Sequence, residues 1–449
     1  MLFHYLYIQV DFCGRHRYTK RYAITGLNIV KLLTDYPSGR FQPTMKKNIP
    51  NRLRNPHSPP DKPREEVVTP PCPYFRDCGG CQLQDRTYRE SLRVKEARLT
   101  ALLGRFGKIE PIISMKTPWS YRNKCHSTFA YDRRFGIRNG LYAEYSHRVI
   151  PIDRCLIQDE RADNIIATIA SMMKSFKMTA YNEQTGQGFL RHVLIKIGFA
   201  SNEIMVVLVV TSNIFPGKNH FVKALRKKHP EIKTIIQNIN GEDTTMVLGK
   251  REIVLFGKGW IEDTLCNMKF QISAKSFFQI NPVQTEKLYE KAMEMARLTG
   301  REIVLDAYSG IGTIGLVASG RAKTVIGVEL NGDAVRNAQR SARLNNVTNA
   351  TFHKGDAGKF MESMAKNGQK LDVVFMDPPR SGSTQTFIHS IGKIKPRRVV
   401  YISCGPESLA RDLDWLRQEN YDVKKIQPVD MFPWTEHVET CVELRRRDI

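Results

Sequence analysis

From residue 271 onward the chain repeats one pattern: a short apolar run, a polar or glycine-rich end, then a stretch with helical spacing. The runs are IVLDAYSG, TVIGVEL, VVFMDPP and RRVVYISC. Such alternation predicts a parallel sheet covered by helices on both faces, with ligands bound beyond the carboxyl ends of the strands. Asn281-Pro282 predicts a helix start, and Leu288, Ala292 and Met295 follow at helical spacing. The expected fold class is therefore α/β, with a doubly wound, Rossmann-like domain over residues 271–449.

The rest of the chain reads differently. Residues 66–270 predict a smaller α+β domain, in which HVLIKIGFA (192–200) and EIMVVLVVT (203–211) pair as buried strands and VKALRKKHPEIK forms a basic helix. Residues 1–65 predict an extended basic tail. Nine of the 22 prolines fall between Pro43 and Pro73, interleaved with Lys46, Lys47, Arg52, Arg54, Lys62 and Arg64.

At 449 residues and 41% hydrophobic content, the chain has material for conventional cores. No apolar run reaches the roughly 18 residues that a membrane helix needs. The opening MLFHYLYIQV lacks a basic flank and meets Asp11, so no secretory signal is expected. The nine cysteines are then expected in a reducing cytoplasm, as ligands, nucleophiles or core residues rather than disulfides. A net charge of +24 is several times what solubility requires and predicts a polyanionic partner, nucleic acid above all. No membrane and no protein partner is expected.

Two local patterns point to a nucleotide-like cofactor. Gly310-Ile311-Gly312-Thr313-Ile314-Gly315 satisfies G-x-G-x-x-G after a strand, and Glu329, nineteen residues beyond Gly310, ends the next one. Alone, that motif fits NAD and S-adenosylmethionine equally. Asp306 precedes the glycines, where its charge would repel a pyrophosphate and suits a cationic sulfonium. Asp377 precedes two prolines in MDPPRSG; on its own this is a turn, but beside the glycine loop it reads as an active-site wall.

Cys404 stands at the mouth of a strand in YISCGPESLARD. Most lone cysteines there are small core residues. A thiolate at that place also suits attack on C6 of a pyrimidine, which makes C5 nucleophilic toward a methyl donor and leaves a base to remove the C5 proton. Glu436, Glu439 and Glu443 are the candidate bases; Glu439 falls on the same strand face as His437. Upstream, CPYFRDCGGC sets Cys72, Cys78 and Cys81 at C-x5-C-x2-C spacing around two glycines, which predicts a metal site. On spacing alone zinc and an iron-sulfur cluster fit equally.

The ordered set SAKSFFQINP, LDAYSGIGT, MDPPRSG, YISCGPESLARDL and VDMFPWTEHVET resembles the RNA uracil-C5 methyltransferases of the TrmA and RumA type, particularly the bacterial 23S rRNA (uracil-C5)-methyltransferases. The resemblance covers residues 70 to 449. It implies transfer of a methyl group from S-adenosylmethionine to C5 of a uridine, with Cys404 as nucleophile and Glu439 as base. It also implies that Gln279, Tyr308, Glu329 and Asp377 line the cofactor and uracil pocket, that Phe277 stacks on a base, and that Asp356 holds the adenine end. It carries Cys155 of PIDRC as a fourth ligand beside Cys72, Cys78 and Cys81, and favours a 4Fe-4S cluster with a structural or RNA-positioning role. YRNK (121–124) is similar to a segment expected near RNA. The partner implied is RNA, 23S rRNA first and tRNA second; a non-catalytic RNA-binding protein keeping the cluster is the alternative of another class. An RNA cytosine methyltransferase fits less well, because Arg380 follows Pro379 where those enzymes carry a second cysteine. The chain departs from the resemblance at Gly405, where Asn or Asp is usual and where a looser loop or the loss of a substrate hydrogen bond is expected, and in residues 1–65, which lack the strand pattern of the TRAM barrel that many relatives carry.

Overall fold

The computed structural model describes residues 68–448 apart from 133, 135, 145 and 245. The expectations for residues 1–65, the basic tail and the missing barrel, lie outside the described residues.

The first helix, α1 (Tyr88–Leu103), opens on a capping box: the Thr87 hydroxyl accepts the Glu90 N–H and the Glu90 carboxylate accepts the Thr87 N–H. A seven-stranded sheet follows, built from β1 (Lys124–Asp132), β2 (Gly136–Tyr142), β3 (Val149–Pro151), β4 (Leu190–Ile197), β5 (Ile204–Val210), β6 (Ile232–Ile239) and β7 (Arg251–Phe256) in the order β3-β2-β1-β4-β5-β6-β7. Its neighbours are antiparallel except β5 and β6, which a helix (Lys218–Lys228, α3) joins as a crossover. Every residue of β4 and β5 is buried. One face packs under α2 (Glu160–Met172) and α3; from the other, Leu194, Met205, Val207 and Val209 enter a core shared with the second half of the chain. The expected strand pair is present, and the basic helix starts earlier than expected, at Lys218.

A hairpin, β8 (Trp260–Leu265) and β9 (Met268–Ser273), leads into α4 (Pro282–Ala296), where Asn281 caps the helix and Pro282 occupies its first turn. The alternating run then delivers β10 (Ile303–Ala307), α5 (Thr313–Ser319), β11 (Thr324–Glu329), α6 (Gly332–Leu344), β12 (Ala350–Lys354), α7 (Ala357–Lys366), β13 (Val373–Met376), α8 (Gln385–Ile394), β14 (Arg398–Ser403) and α9 (Pro406–Gln418). β15 (Tyr421–Val429) and β16 (Glu439–Arg446) close the sheet in the order β12-β11-β10-β13-β14-β16-β15. The first five of these pair in parallel; β16 enters antiparallel between β14 and β15. Helices α4, α5 and α6 cover one face, and α1, α7, α8 and α9 the other. The strand order reverses between β10 and β13, so a crevice opens at their carboxyl ends. No helix among the described residues is long and apolar enough to cross a membrane.

One buried ion pair ties α1 to the chain between β15 and β16. Lys95 Nζ lies 2.5 Å from Asp430 Oδ1, with the two side chains 1% and 0% exposed. The Tyr88 hydroxyl donates to Asp430 Oδ2 at 2.7 Å, so neither carboxylate oxygen is left unmatched. Removing one member strands a buried charge. Lys95→Met is therefore expected to lower stability by about 3–5 kcal/mol in urea unfolding, and adding Asp430→Leu to restore part of the loss. Equal midpoints for Lys95→Met and the unaltered chain would contradict this account.

Candidate active site

The parallel strands end on one side and carry acidic groups there. After β10 the backbone turns sharply, with Tyr308, Gly310 and Gly312 at φ of +62°, +55° and +80°. Gly312 must be glycine, since a Cβ would come within 2.7 Å of the Phe352 ring. Glu329, at the end of β11, accepts the N–H of Gly310 at 3.1 Å and of Asn331 at 2.7 Å. Asp306 is fully buried, and burial, with Gly315 opposing and Asp377 and Glu329 adding, pushes its carboxyl up to about 7. One of its oxygens accepts the Gly315 N–H at 2.8 Å; the other has no hydrogen-bond partner among the described residues. Asp306 thus shapes the glycine loop as well as charging it, a role its sequence context does not suggest. Asp356 follows β12 and caps α7 through the Lys359 N–H. The Tyr308 hydroxyl reaches Ser383 Oγ at 2.9 Å, in the loop after β13. Carboxylates at the ends of four neighbouring strands would repel a diphosphate and suit a cationic sulfonium nucleoside, so the donor set fits S-adenosylmethionine and not a dinucleotide.

Cys404 directly follows β14. The register pairs Ser403 with Thr440, and one further step sets Cys404 opposite Glu439, the first residue of β16. Their electrostatics agree: burial chiefly, then Glu439 and Asp377, push the Cys404 thiol well up, while Arg380 pulls it down. The Glu439 carboxyl is itself pushed up by burial and by Asp377, against Arg380, and its Oε2 has no partner among the described residues. Burial pushes Asp377 up to about 7. Of the other candidate bases, Glu436 is exposed and Glu443 is ion-paired with Arg445 and Arg297. Gln279 is buried, in a loop held from the central sheet: Asn123 Nδ2 donates to the Gln279 carbonyl at 3.0 Å, and Lys196 Nζ to the carbonyls of Ser273 and Ser276 at 2.7 Å. Phe277 in the same loop is 50% exposed, with the Lys124 amine 5.9 Å from its ring centre, an arrangement able to stack a base.

The family model for tRNA (uracil-5-)-methyltransferase matches residues 87–447. This chain belongs to the RNA uracil-5-methyltransferase family. It is 43% identical over 386 residues to an uncharacterized RNA methyltransferase of Halalkalibacterium halodurans, covering 85% of this chain and 84% of the relative. A second one from the same organism is 36% identical over 442 residues, covering 97% of this chain and 93% of the relative, and so takes in most of residues 1–65. Among solved structures, the Pyrococcus abyssi tRNA (uracil-54, C5)-methyltransferase in complex with S-adenosyl-L-homocysteine superposes with a TM-score of 0.69 at 28% identity, covering 81% of this chain and 85% of that one. As a member of this family the chain is an S-adenosylmethionine-dependent RNA methyltransferase, which sets aside the dinucleotide and the non-catalytic readings.

Within the methyltransferase, two residues near Cys404 carry roles that their sequence context leaves unmarked. Arg380 is a cation acting on both Cys404 and Glu439. Asp412, on the buried stripe of α9 with Leu409, Leu413 and Leu416, accepts the Ser383 N–H at 2.7 Å and the Tyr401 hydroxyl at 2.6 Å. It anchors the loop after Asp377, and a lone acid on an apolar helical stripe is the signal available for it. Gly405 does not loosen this region. A Cβ there would sit 2.8 Å from the Arg380 carbonyl, so glycine lets the Asp377–Arg380 loop close onto α9, where Ser408 Oγ donates to that same carbonyl at 2.8 Å.

Cys72, Cys78, Cys81 and Cys155 line a single cavity, with Arg154 and Gln84 in its wall. The Gly80 N–H points at Cys78 Sγ at 3.4 Å, and the Cys155 N–H is held by Asp163. Burial pushes Cys81 and Cys155 up to about 12, and the Arg122 guanidinium opposes this for both and for Cys78. Among the described residues, however, no set of three or more His, Cys, Asp or Glu is arranged to hold a metal ion. The segment YRNK also differs from expectation. Tyr121 is buried and donates to the Pro433 carbonyl, Arg122 is buried by the cysteines and Asn123 by the Gln279 loop, which leaves Lys124 beside Phe277. Cys125 and Cys441 are core residues.

The Asp377 shift has a consequence for stability. A carboxyl raised from 3.8 to about 7 contributes stability that is full below the unfolded value and lost as pH rises through 7. Asp377→Asn is therefore expected to be more stable than the unaltered chain at pH 8, with the gap closing toward pH 4. A gap that does not change with pH in thermal unfolding would rule the assignment out.

Proposed function

We propose that this chain methylates C5 of uridine in RNA, giving 5-methyluridine, with Cys404 as nucleophile and Glu439 as base. The observation that supports the reading is the pairing of β14 with β16, whose register runs through Ser403–Thr440 toward Cys404 and Glu439, together with the effect of the Glu439 charge on the Cys404 thiol. S-adenosylmethionine supplies an electrophilic methyl group there. The Cys404 thiolate adds to C6 of the uracil ring; the C5–C6 π pair moves onto C5 and O4, and C5 takes the methyl group as the sulfonium carbon–sulfur bond breaks. Glu439 then removes the C5 proton, the double bond re-forms and the thiolate leaves. Arg380 favours the thiolate by its charge. Asp377, Gln279, Tyr308, Glu329 and Asp356 hold donor and ring, and Phe277 with Lys124 receives RNA whose target base has left its stack.

The substrate we favour is 23S rRNA, on the resemblance of the ordered motifs. tRNA is the second reading, supported by the solved P. abyssi relative, which is named for uracil-54 of tRNA. The setting proposed is cytoplasmic. We also propose a 4Fe-4S cluster on Cys72, Cys78, Cys81 and Cys155. The four cysteines would hold it from the one cavity they share, and the buried Arg122 would offset its negative charge. The cluster would hold the segment's shape.

Cys404→Ala is expected to lose at least about 10⁴-fold in methyl transfer. RNA carrying 5-fluorouridine should become covalently attached through Cys404, and mass mapping of rRNA and tRNA from cells with and without the gene should find a 5-methyluridine missing from 23S rRNA. Full activity in Cys404→Ala would defeat the mechanism, and a loss confined to tRNA would select the second reading. Chain purified without oxygen is expected to carry about four iron and four sulfide, lost in Cys81→Ser; iron-free chain would refute the cluster.

A further inference from the structure

Between β15 and β16, residues 430–438 form no strand, yet they deliver Glu439 to the sheet. Five successive carbonyls of this loop are caught by donors from outside it. Asp430 O accepts from Gln284 Nε2 at 3.1 Å, Met431 O from Asn281 Nδ2 at 3.0 Å, Phe432 O from Lys95 Nζ at 3.0 Å and Pro433 O from the Tyr121 hydroxyl at 3.0 Å. Trp434 O accepts the N–H groups of both Gln82 and Leu83, each at 3.0 Å. Trp434 is held in the left-handed region at φ +68°, its ring stacked on Trp119 with centroids 4.5 Å apart and its indole N–H bound to the Pro118 carbonyl.

The two amides on Trp434 come from the cysteine turn. Gln82 and Leu83 directly follow Cys81, and the Gln82 side chain donates back to the Gly79 carbonyl, inside the same turn. The position of these amides therefore depends on the shape of residues 78–83. At the other end of the loop, Glu439 Oε2 has no partner among the described residues, so that oxygen takes its position from the backbone that carries it. A displacement of the turn would pass through Trp434 to the carboxylate.

We propose that the cysteine turn 78–83, acting through Trp434, positions the Glu439 carboxylate for removal of the C5 proton. The inference rests on the reading of Glu439 as base, and makes Gln82, Leu83 and Trp434 positioning residues for one step of the reaction. Phe277, Gln279 and the strand ends, which we read as the groups that capture RNA and methyl donor, share no hydrogen bond with residues 78–83 among the described residues. The step affected has a distinct signature. After methyl transfer the ring still carries both the C6–sulfur bond and the C5 hydrogen, and the thiolate cannot leave until that proton is removed. A displaced base therefore leaves methylated RNA bound to Cys404.

The test uses the full chain with ordinary uridine RNA and S-adenosylmethionine, comparing Trp434→Ala, Cys81→Ser and Glu439→Gln. Turnover is expected to fall about 10- to 100-fold in the first two, with KM for RNA and donor within about twofold of the unaltered chain. A denaturant-resistant protein–RNA complex carrying the methylated base should accumulate in all three. Donor affinity measured by calorimetry establishes that each variant is folded; if Trp434→Ala fails that check, Trp434→Phe replaces it and the same outcomes decide. The proposal is overturned if Glu439→Gln accumulates the complex while the Trp434 and Cys81 variants either keep full turnover or lose it with no complex. No complex with Glu439→Gln would instead remove the base assignment on which the inference stands.

Discussion

The pairing of β14 with β16 is the constraint on which the site depends. A parallel sheet alone would present Cys404 at a strand end with helices for neighbours. Inserting one antiparallel strand brings a chain start to that same edge, so the first residue of β16 faces the residue just past β14. A one-residue slip would turn Glu439 to the opposite face and Thr440 toward the thiol. The register is secured by burial: the β16 side chains alternate between the cores on the two faces of the sheet, with Cys441 in one and Val442 and Leu444 in the other.

The same edge concentrates charge that the protein interior disfavours. Asp306, Asp377, Glu439 and Cys404 are all pushed toward their neutral forms by burial, and neighbouring carboxylates raise Asp306, Glu439 and Cys404 further. Arg380 opposes this at Cys404 and Glu439. Such a site is poorly matched to itself and well matched to a cation. A sulfonium donor brings positive charge to the acidic crevice, which favours the ionised forms of the groups around it, so donor binding and ionisation of the Cys404 thiol are electrostatically linked.

Much of this site is legible in the amino-acid sequence. The strand–glycine–helix run, Glu329 at the next strand end, the turn after Asp377 and the cysteine after β14 are each written within a few residues, and the sheet places them side by side because parallel strands share one carboxyl edge. Other features are hidden by distance along the chain. Arg122 reads as an RNA contact beside Lys124, yet it turns inward to the cysteines. Asp306 reads as a counter-charge, yet half of its carboxylate is bound to Gly315. Gly405 reads as a loosened position, yet its missing side chain admits the Arg380 carbonyl. In each case the deciding neighbour is far along the chain or depends on side-chain direction, which spacing does not encode.

The sequence by itself therefore determined the groups available: a sulfonium-compatible acidic crevice, a thiol at a strand mouth, three glutamates beside it in the chain's last segment, and four cysteines. Those depend on local motifs and on the alternation that commits the chain to a doubly wound sheet. Which glutamate meets the thiol, and how Trp434 comes to link the cysteine turn to that glutamate, was decided only by tertiary structure. The reason is that these relations join residues far apart along the chain, such as Leu83 and Trp434, through backbone carbonyls and amides that nearly every residue type carries alike.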